Sequence, residues 1–214
     1  MNILLLTTHL NFGGIASYIV NLAGELKKRG HNVLVVSSGG NFTDALARKG
    51  VEHIDIDIKT KSELSPKLIF AFFKLKRIII KRNIQIIHSH TRVTQILSHF
   101  LNKSLNIPYV TTCHGYFKPH WGRRVFACWG DITIAISAAV KKHLIDDFRL
   151  DENKIRLVYN GVNVKPKTQY DNEKIRVGLG FPREAPIIGI IARLSPVKGH
   201  KYLIAAMKHI LNIE

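Results

Sequence analysis

The residues of this chain best placed for chemistry stand in two strand-to-helix turns, Gly13-Gly14 and, far downstream, Arg193 with Lys198-Gly199. Gly13-Gly14 closely follows the apolar run Ile3-Leu4-Leu5-Leu6. Consecutive glycines let the backbone turn tightly and approach a ligand, and Ile15, Ile19, Leu22 and Leu26 then space out a helix whose N-terminus faces that turn. The second turn repeats the arrangement. Ile187-Ile188-Gly189-Ile190-Ile191 predicts a strand, and Arg193 and Lys198 add two fixed positive charges before a helix carrying Leu203, Ile204 and Met207. Both turns favour anions, and a diphosphate held between them is the simplest shared ligand.

Imidazoles form the other chemical group. His88-Ser89-His90 puts two rings on one face at a strand end, but no third ligand completes a zinc site, so the pair is read as a polar cleft lining.

The elements that position these residues follow from hydrophobic runs. Strands are predicted at Ile3–Thr7, Val33–Ser37, His53–Ile56, Ile84–His88, Tyr109–Thr112, Ile132–Ile136 and Ile155–Tyr159, with helical patterns between most of them. The first run is continuously apolar, as in a parallel strand buried on both faces. Repeated βα alternation predicts an α/β fold built on a doubly wound parallel sheet. Ser137 precedes the helical run 138–148 and is a natural N-cap. Ligands of such sheets sit at the carboxyl ends of the strands, where Gly13, His88, His90, His114 and Ser137 fall.

Asn160-Gly161 marks a turn, and a polar, proline-containing stretch follows it. The chain divides into a first domain at 1–162, a linker at 163–174 and the start of a second domain at 175–214. A lone βα unit cannot bury both faces of its strand, so the chain reads as a fragment of a two-domain protein.

Composition narrows the function. With 46% hydrophobic residues the chain can build a core, and no apolar run reaches the roughly 20 residues of a membrane-spanning helix. The first strand starts at the N-terminus without a signal-peptide pattern, and Cys113 and Cys128 lack zinc or redox spacing, so a reducing cytoplasm is expected. The balance of 32 Lys and Arg against 15 Asp and Glu gives a formal charge of +17, which attracts anions of any kind. Lys59, Lys61, Lys67, Lys74, Lys76, Arg77, Lys81 and Arg82 crowd one segment with Leu68, Ile69, Phe72, Phe73, Leu75, Ile78 and Ile79. This is a basic amphipathic helix, either a sheet cover with snorkelling lysines or a dock on the anionic inner face of the plasma membrane. No base-stacking pattern accompanies the charge, so nucleic acid is not expected as a partner.

Taken in order, Gly13-Gly14, Gly30-His31-x-Val33, His88-x-His90, Thr112-x-His114-Gly115, Ile136-Ser137, Tyr159-Asn160-Gly161-Val162 and Arg193-Leu194-x-x-x-Lys198-Gly199 resemble the GT-B glycosyltransferases of family 4. The resemblance runs nearly end to end. It implies a Rossmann-like N-terminal acceptor domain, the start of a nucleotide-sugar domain, and a retaining hexosyl transfer from a nucleoside diphosphate-sugar, UDP- or GDP-linked, to a hydroxyl acceptor. The acceptor class it implies is a cell-surface polysaccharide, lipopolysaccharide or glycolipid. It assigns His114, Arg193 and Lys198 to catalysis, and Gly13, Gly14, His90, Ser137 and Gly199 to substrate binding. No cofactor or metal is called for. Asp55-Ile56-Asp57 has the Asp-x-Asp form by which another glycosyltransferase fold holds a metal, but here it alternates with isoleucines along a strand.

Three positions depart from the family pattern: Ala192 stands where a glycine usually precedes the arginine, Ala16-Ser17 follow the glycine turn, and Gln85 replaces a common aspartate. The family's Glu-x7-Glu motif would lie past Glu214, so this chain alone is expected to be inactive. The rivals are a GT-B nucleotide-sugar epimerase, disfavoured by Arg-x4-Lys-Gly, and a non-catalytic basic module for anionic membranes or nucleic acid, which leaves the ordered motifs unexplained. A nicotinamide enzyme is disfavoured because the second strand ends in Ser37-Ser38-Gly39 rather than an acidic ribose ligand.

Overall fold

The computed structural model describes residues 1–60, 62–63, 65–119, 122–123, 126–162, 172–182 and 184–211. They form two compact units, Met1–Val162 and Asn163–Glu214.

The first unit alternates β1 (Asn2–Leu6), α1 (Gly14–Lys28), β2 (Asn32–Ser37), α2 (Thr43–Arg48), β3 (Glu52–Asp55), α3 (Lys67–Lys81), β4 (Ile86–Ser89), α4 (Arg92–Leu105), β5 (Tyr109–Cys113), β6 (Ile132–Ala135), α5 (Ala138–Asp146) and β7 (Ile155–Leu157). The sheet runs β3-β2-β1-β4-β5-β6-β7, with every pair parallel. All seven strands expected in this unit are present. The order reverses between β1 and β4, which makes their carboxyl ends the switch point where such sheets open a crevice.

Strand alternation sorts β1 between two cores. Leu4 and Leu6 join Leu34, Val36 and Ile87 beneath α3 and α4, while Ile3 and Leu5 join Val33 and Val35 beneath α1 and α2. A continuous apolar strand is thus buried on both faces. Ser137 caps α5, its hydroxyl accepting from the Val140 N–H at 3.2 Å.

Helix α3 has more apolar surface than the sheet can cover. Leu68, Ala71, Leu75 and Ile79 are buried against the sheet. Ile69, Phe70, Phe73 and Ile80 are exposed, Phe70 at 78%. At 100° per residue they form one outer flank, with Lys67, Lys74, Arg77 and Lys81 beside it. A groove of about 390 Å³ lies between α3 and α4, lined by Leu68, Ile69, Phe72, Phe73, Leu97 and Phe100 among others. The helix therefore covers the sheet and also presents an apolar and basic outer face.

The second unit contains α6 (Asn172–Gly178), a 3₁₀ turn at Pro196–Lys198 and α7 (His200–Leu211). Residues 163–171 of the expected linker lie outside the described residues, and α6 already begins at Asn172. The strand expected at 187–191 is not formed: the segment has no ladder partner among the described residues, and Ile191 is fully exposed. An extended run with no neighbour to satisfy its N–H and C=O groups gains nothing from strand geometry.

Candidate functional site

The carboxyl ends of β1, β4 and β5 bring three imidazoles, a phenol and a threonine together. His88 and His90 share one side of β4, their rings 4.2 Å apart. Two residues apart on the next chain segment, Thr112 and His114 face them. The Nε2 of His88 lies 2.7 Å from the Thr112 hydroxyl, and the Nδ1 of His90 lies 3.2 Å from the Nε2 of His114. Tyr18, from the second turn of α1, meets His90 and His114 edge-on at 5.6 and 5.0 Å. The cluster is anchored to β1 by the His90 N–H, which donates to the Leu6 carbonyl at 3.0 Å.

These imidazoles are neutral at physiological pH. Burial pulls His88 down to about 3, helped by the nearby His114, and holds His90 well below its ordinary value for the same reason. Burial also brings His114 down to about 4. It raises the Tyr18 phenol, with a Thr112 hydrogen bond acting in the opposite direction. The site therefore offers neutral hydrogen-bonding groups. Among the described residues no group of three His, Cys, Asp or Glu side chains is arranged to hold a metal. Asp57 of the Asp-x-Asp run instead pairs with Lys67 at 2.5 Å.

Gly13 is the N-cap of α1, and both Gly13 and Gly14 are exposed. A Cβ at Gly14 would meet nothing within 4 Å, and one at Gly13 would meet only the Asn11 carbonyl at 3.9 Å. Packing does not require either glycine; their effect is to leave the helix N-terminus uncovered, with its N–H groups available to an anion.

His90 departs from the expectation that it lines the cleft. Its ring is 2% exposed because His88, Tyr18 and His114 pack around it, so it contacts His114 rather than open solvent. Ser137 is engaged as the cap of α5 and is not joined to the imidazole cluster among the described residues. Arg193, Lys198 and Gly199 belong to the second unit. Arg193 and Lys198 are exposed and form no ion pair among the described residues. Gly199 ends the 3₁₀ turn at φ +76°, a left-handed conformation that favours glycine.

Tyr18 and Thr112 had no assigned role in the sequence. The available signal for Tyr18 was its position one turn after Gly14, which aims it at the same strand ends. Two further side chains, with no motif to mark them, hold described residues beyond β5. Arg92 holds Glu63 through its Nε at 3.0 Å and donates to the carbonyls of Ala127 and Phe126 at 2.7 and 2.6 Å. His143 accepts from the Phe117 N–H at 3.1 Å while its Nδ1 lies 2.5 Å from Asp147.

With this geometry in place, comparison with known proteins is informative. The Glycosyltransferase Family 4 model matches residues 12–165. Alpha-maltose-1-phosphate synthase of Mycolicibacterium smegmatis is 25% identical, across 56% of this chain and 36% of that protein. D-inositol 3-phosphate glycosyltransferase of Corynebacterium diphtheriae is 24% identical, across 93% of this chain and 53% of its own length. The chain thus spans about half or less of these relatives. Among solved structures, a glycosyltransferase from Rickettsia africae superposes with a TM-score of 0.81 at 24% identity, covering 98% of this chain and 57% of that one. HepE of Anabaena, solved with UDP and glucose, gives 0.78 at 20% identity, covering 97% and 57%. The fold shared with these neighbours is GT-B.

Proposed function

Because the chain belongs to Glycosyltransferase Family 4, we propose that it acts, as part of a two-domain enzyme, in transferring a hexosyl group with retention from a UDP- or GDP-sugar to a hydroxyl acceptor. The observation that carries this reading is the neutral imidazole cluster at the β1/β4 switch point, beside the uncovered N-terminus of α1. An α/β sheet binds ligands there, and neutral N–H donors suit a sugar and its leaving phosphate. That solved neighbours hold UDP and glucose supports the choice of donor.

In this reading His114 donates a hydrogen bond to the donor sugar or its phosphate. Arg193 and Lys198 engage the diphosphate, on which negative charge grows as the sugar C1–O bond breaks and the acceptor oxygen replaces it. The acceptor proton leaves with the nucleoside diphosphate or passes to solvent. The first unit receives the acceptor, a cell-surface polysaccharide, lipopolysaccharide or glycolipid precursor, on the cytoplasmic side of the membrane. The exposed phenylalanines and lysines of α3 support peripheral contact with an anionic leaflet.

The test is transfer by the full-length gene product from labelled UDP- and GDP-hexoses to extracted glycolipid and polysaccharide precursors. The configuration at C1 is then read from the proton coupling of the product. Transfer with the donor configuration kept supports the proposal. Inversion removes the retaining mechanism, and absence of transfer or donor cleavage across the panel removes the activity.

A further inference from the structure

The His90–His114 contact carries one proton between two ring nitrogens, and its location decides what the site offers a ligand. At 3.2 Å, one of the pair, His90 Nδ1 and His114 Nε2, donates and the other accepts. If His114 donates from Nε2, His90 accepts at Nδ1 and must carry its own proton on Nε2. That atom is buried and has no partner among the described residues. This arrangement leaves an orphaned N–H inside the protein. If His90 donates from Nδ1, its Nε2 is a bare lone pair, and no donor is stranded. Buried N–H groups without acceptors are rarer than unused lone pairs, so the second arrangement is favoured.

Geometry closes off other ways for His90 to adjust. Its backbone N–H is held by the Leu6 carbonyl at 3.0 Å, and its ring lies between His88 at 4.2 Å and Tyr18 at 5.6 Å. The ring is 2% exposed. His114 is only partly buried, and its Nδ1 has no partner among the described residues.

We propose that His90 is a positioning residue that fixes His114 as the neutral tautomer protonated on Nδ1, so that the site presents an N–H donor to an oxygen of its ligand. The tautomer follows from the fold alone; the identity of that oxygen as sugar hydroxyl or phosphate rests on the transferase reading. His90 touches no ligand in this account. It acts by holding the proton on the far nitrogen of its neighbour.

The direct measurement is a long-range proton–nitrogen correlation spectrum of the imidazoles in the ¹⁵N-labelled chain near pH 7, without ligand, assigned by single substitutions. Both His90 and His114 are expected to show a protonated Nδ1 and a bare Nε2. His90→Asn places an amide N–H where Nδ1 stood and should keep the His114 tautomer. His90→Leu removes the donor and should move the His114 proton wholly or partly to Nε2. A His114 proton on Nε2 in the unaltered chain would overturn the proposal, whether or not either variant folds. So would an unchanged His114 in a folded His90→Leu protein. Failure of the transferase reading would instead appear as an absence of nucleotide-sugar binding with these spectra intact.

Discussion

The Nε2 of His88 and the hydroxyl of Thr112 lie 2.7 Å apart, a buried contact that ties β4 to β5 at the carboxyl end of the sheet. It sits among the rings of His90, His114 and Tyr18, so it supports the site while being closed to solvent. Thr112→Val keeps the shape and removes the hydroxyl, leaving the His88 nitrogen unpaired. The expected loss is about 1–3 kcal/mol of stability, read from urea unfolding. A loss below the error of that measurement would show that the contact does not organise the cluster.

Two glycines near the site should respond in opposite ways. Gly14→Ala adds a methyl group where nothing lies within 4 Å, so thermal unfolding should be unchanged or slightly raised. Gly40→Ala places a Cβ 2.4 Å from the Leu10 carbonyl carbon at a residue with φ +141°. That combination of clash and strain should cost on the order of 1–3 kcal/mol or more. Equal melting temperatures for the two variants would contradict the described loop packing.

Stability should fall with acid in a window set by the imidazoles. His88 and His114 have folded-state values near 3 and 4 against an ordinary 6.5, and burial is the main cause. The unfolded chain therefore binds more protons than the folded one between about pH 6.5 and 4. Their contribution is complete above 6.5 and declines as pH drops through the folded-state values. His53 and His99, also lowered by burial, act in the same direction. Urea midpoints should decrease from pH 7 to pH 4.5, and His114→Asn should flatten that dependence. A midpoint independent of pH over this range would rule out neutral burial of the rings.

The outer face of α3 should bind anionic bilayers. Flotation with vesicles containing phosphatidylserine should carry the protein upward at low salt and less so at high salt. Phe70→Ala with Phe73→Ala should weaken binding by removing insertion, and Lys74→Glu with Arg77→Glu should weaken it through charge. Because all four side chains are exposed, the fold should persist. Unchanged flotation in both double variants would place any membrane contact elsewhere.

Most of the first unit was legible because its strands are short apolar runs separated by helical spacing, a pattern that survives without knowledge of neighbours. The stretch 187–191 misled for the same reason: its isoleucines carry a strand pattern, but a strand also needs a partner edge. The site was legible as a set of strand ends. Its internal order was not, because the burial of His90 depends on Tyr18 and His114 arriving from other elements. Arg92 likewise carries no signal in the sequence, because the carbonyls of Phe126 and Ala127 that it binds come from more than thirty residues away. For α3, sequence left a sheet cover and a membrane dock as alternatives; the structure shows the sheet cover on one side of the helix, in Leu68, Ala71, Leu75 and Ile79, and an exposed apolar face on another, in Ile69, Phe70, Phe73 and Ile80.

The most direct test of the central claim is calorimetric titration of UDP- and GDP-sugars into the full-length gene product, with Arg193→Ala and Lys198→Ala alongside. The account predicts saturable binding of one nucleotide class. Turnover in each variant should be reduced by roughly 10²–10³-fold, with the diphosphate contribution to binding lost. Absence of binding by every nucleotide-sugar, or binding and turnover indifferent to both cations, would contradict it.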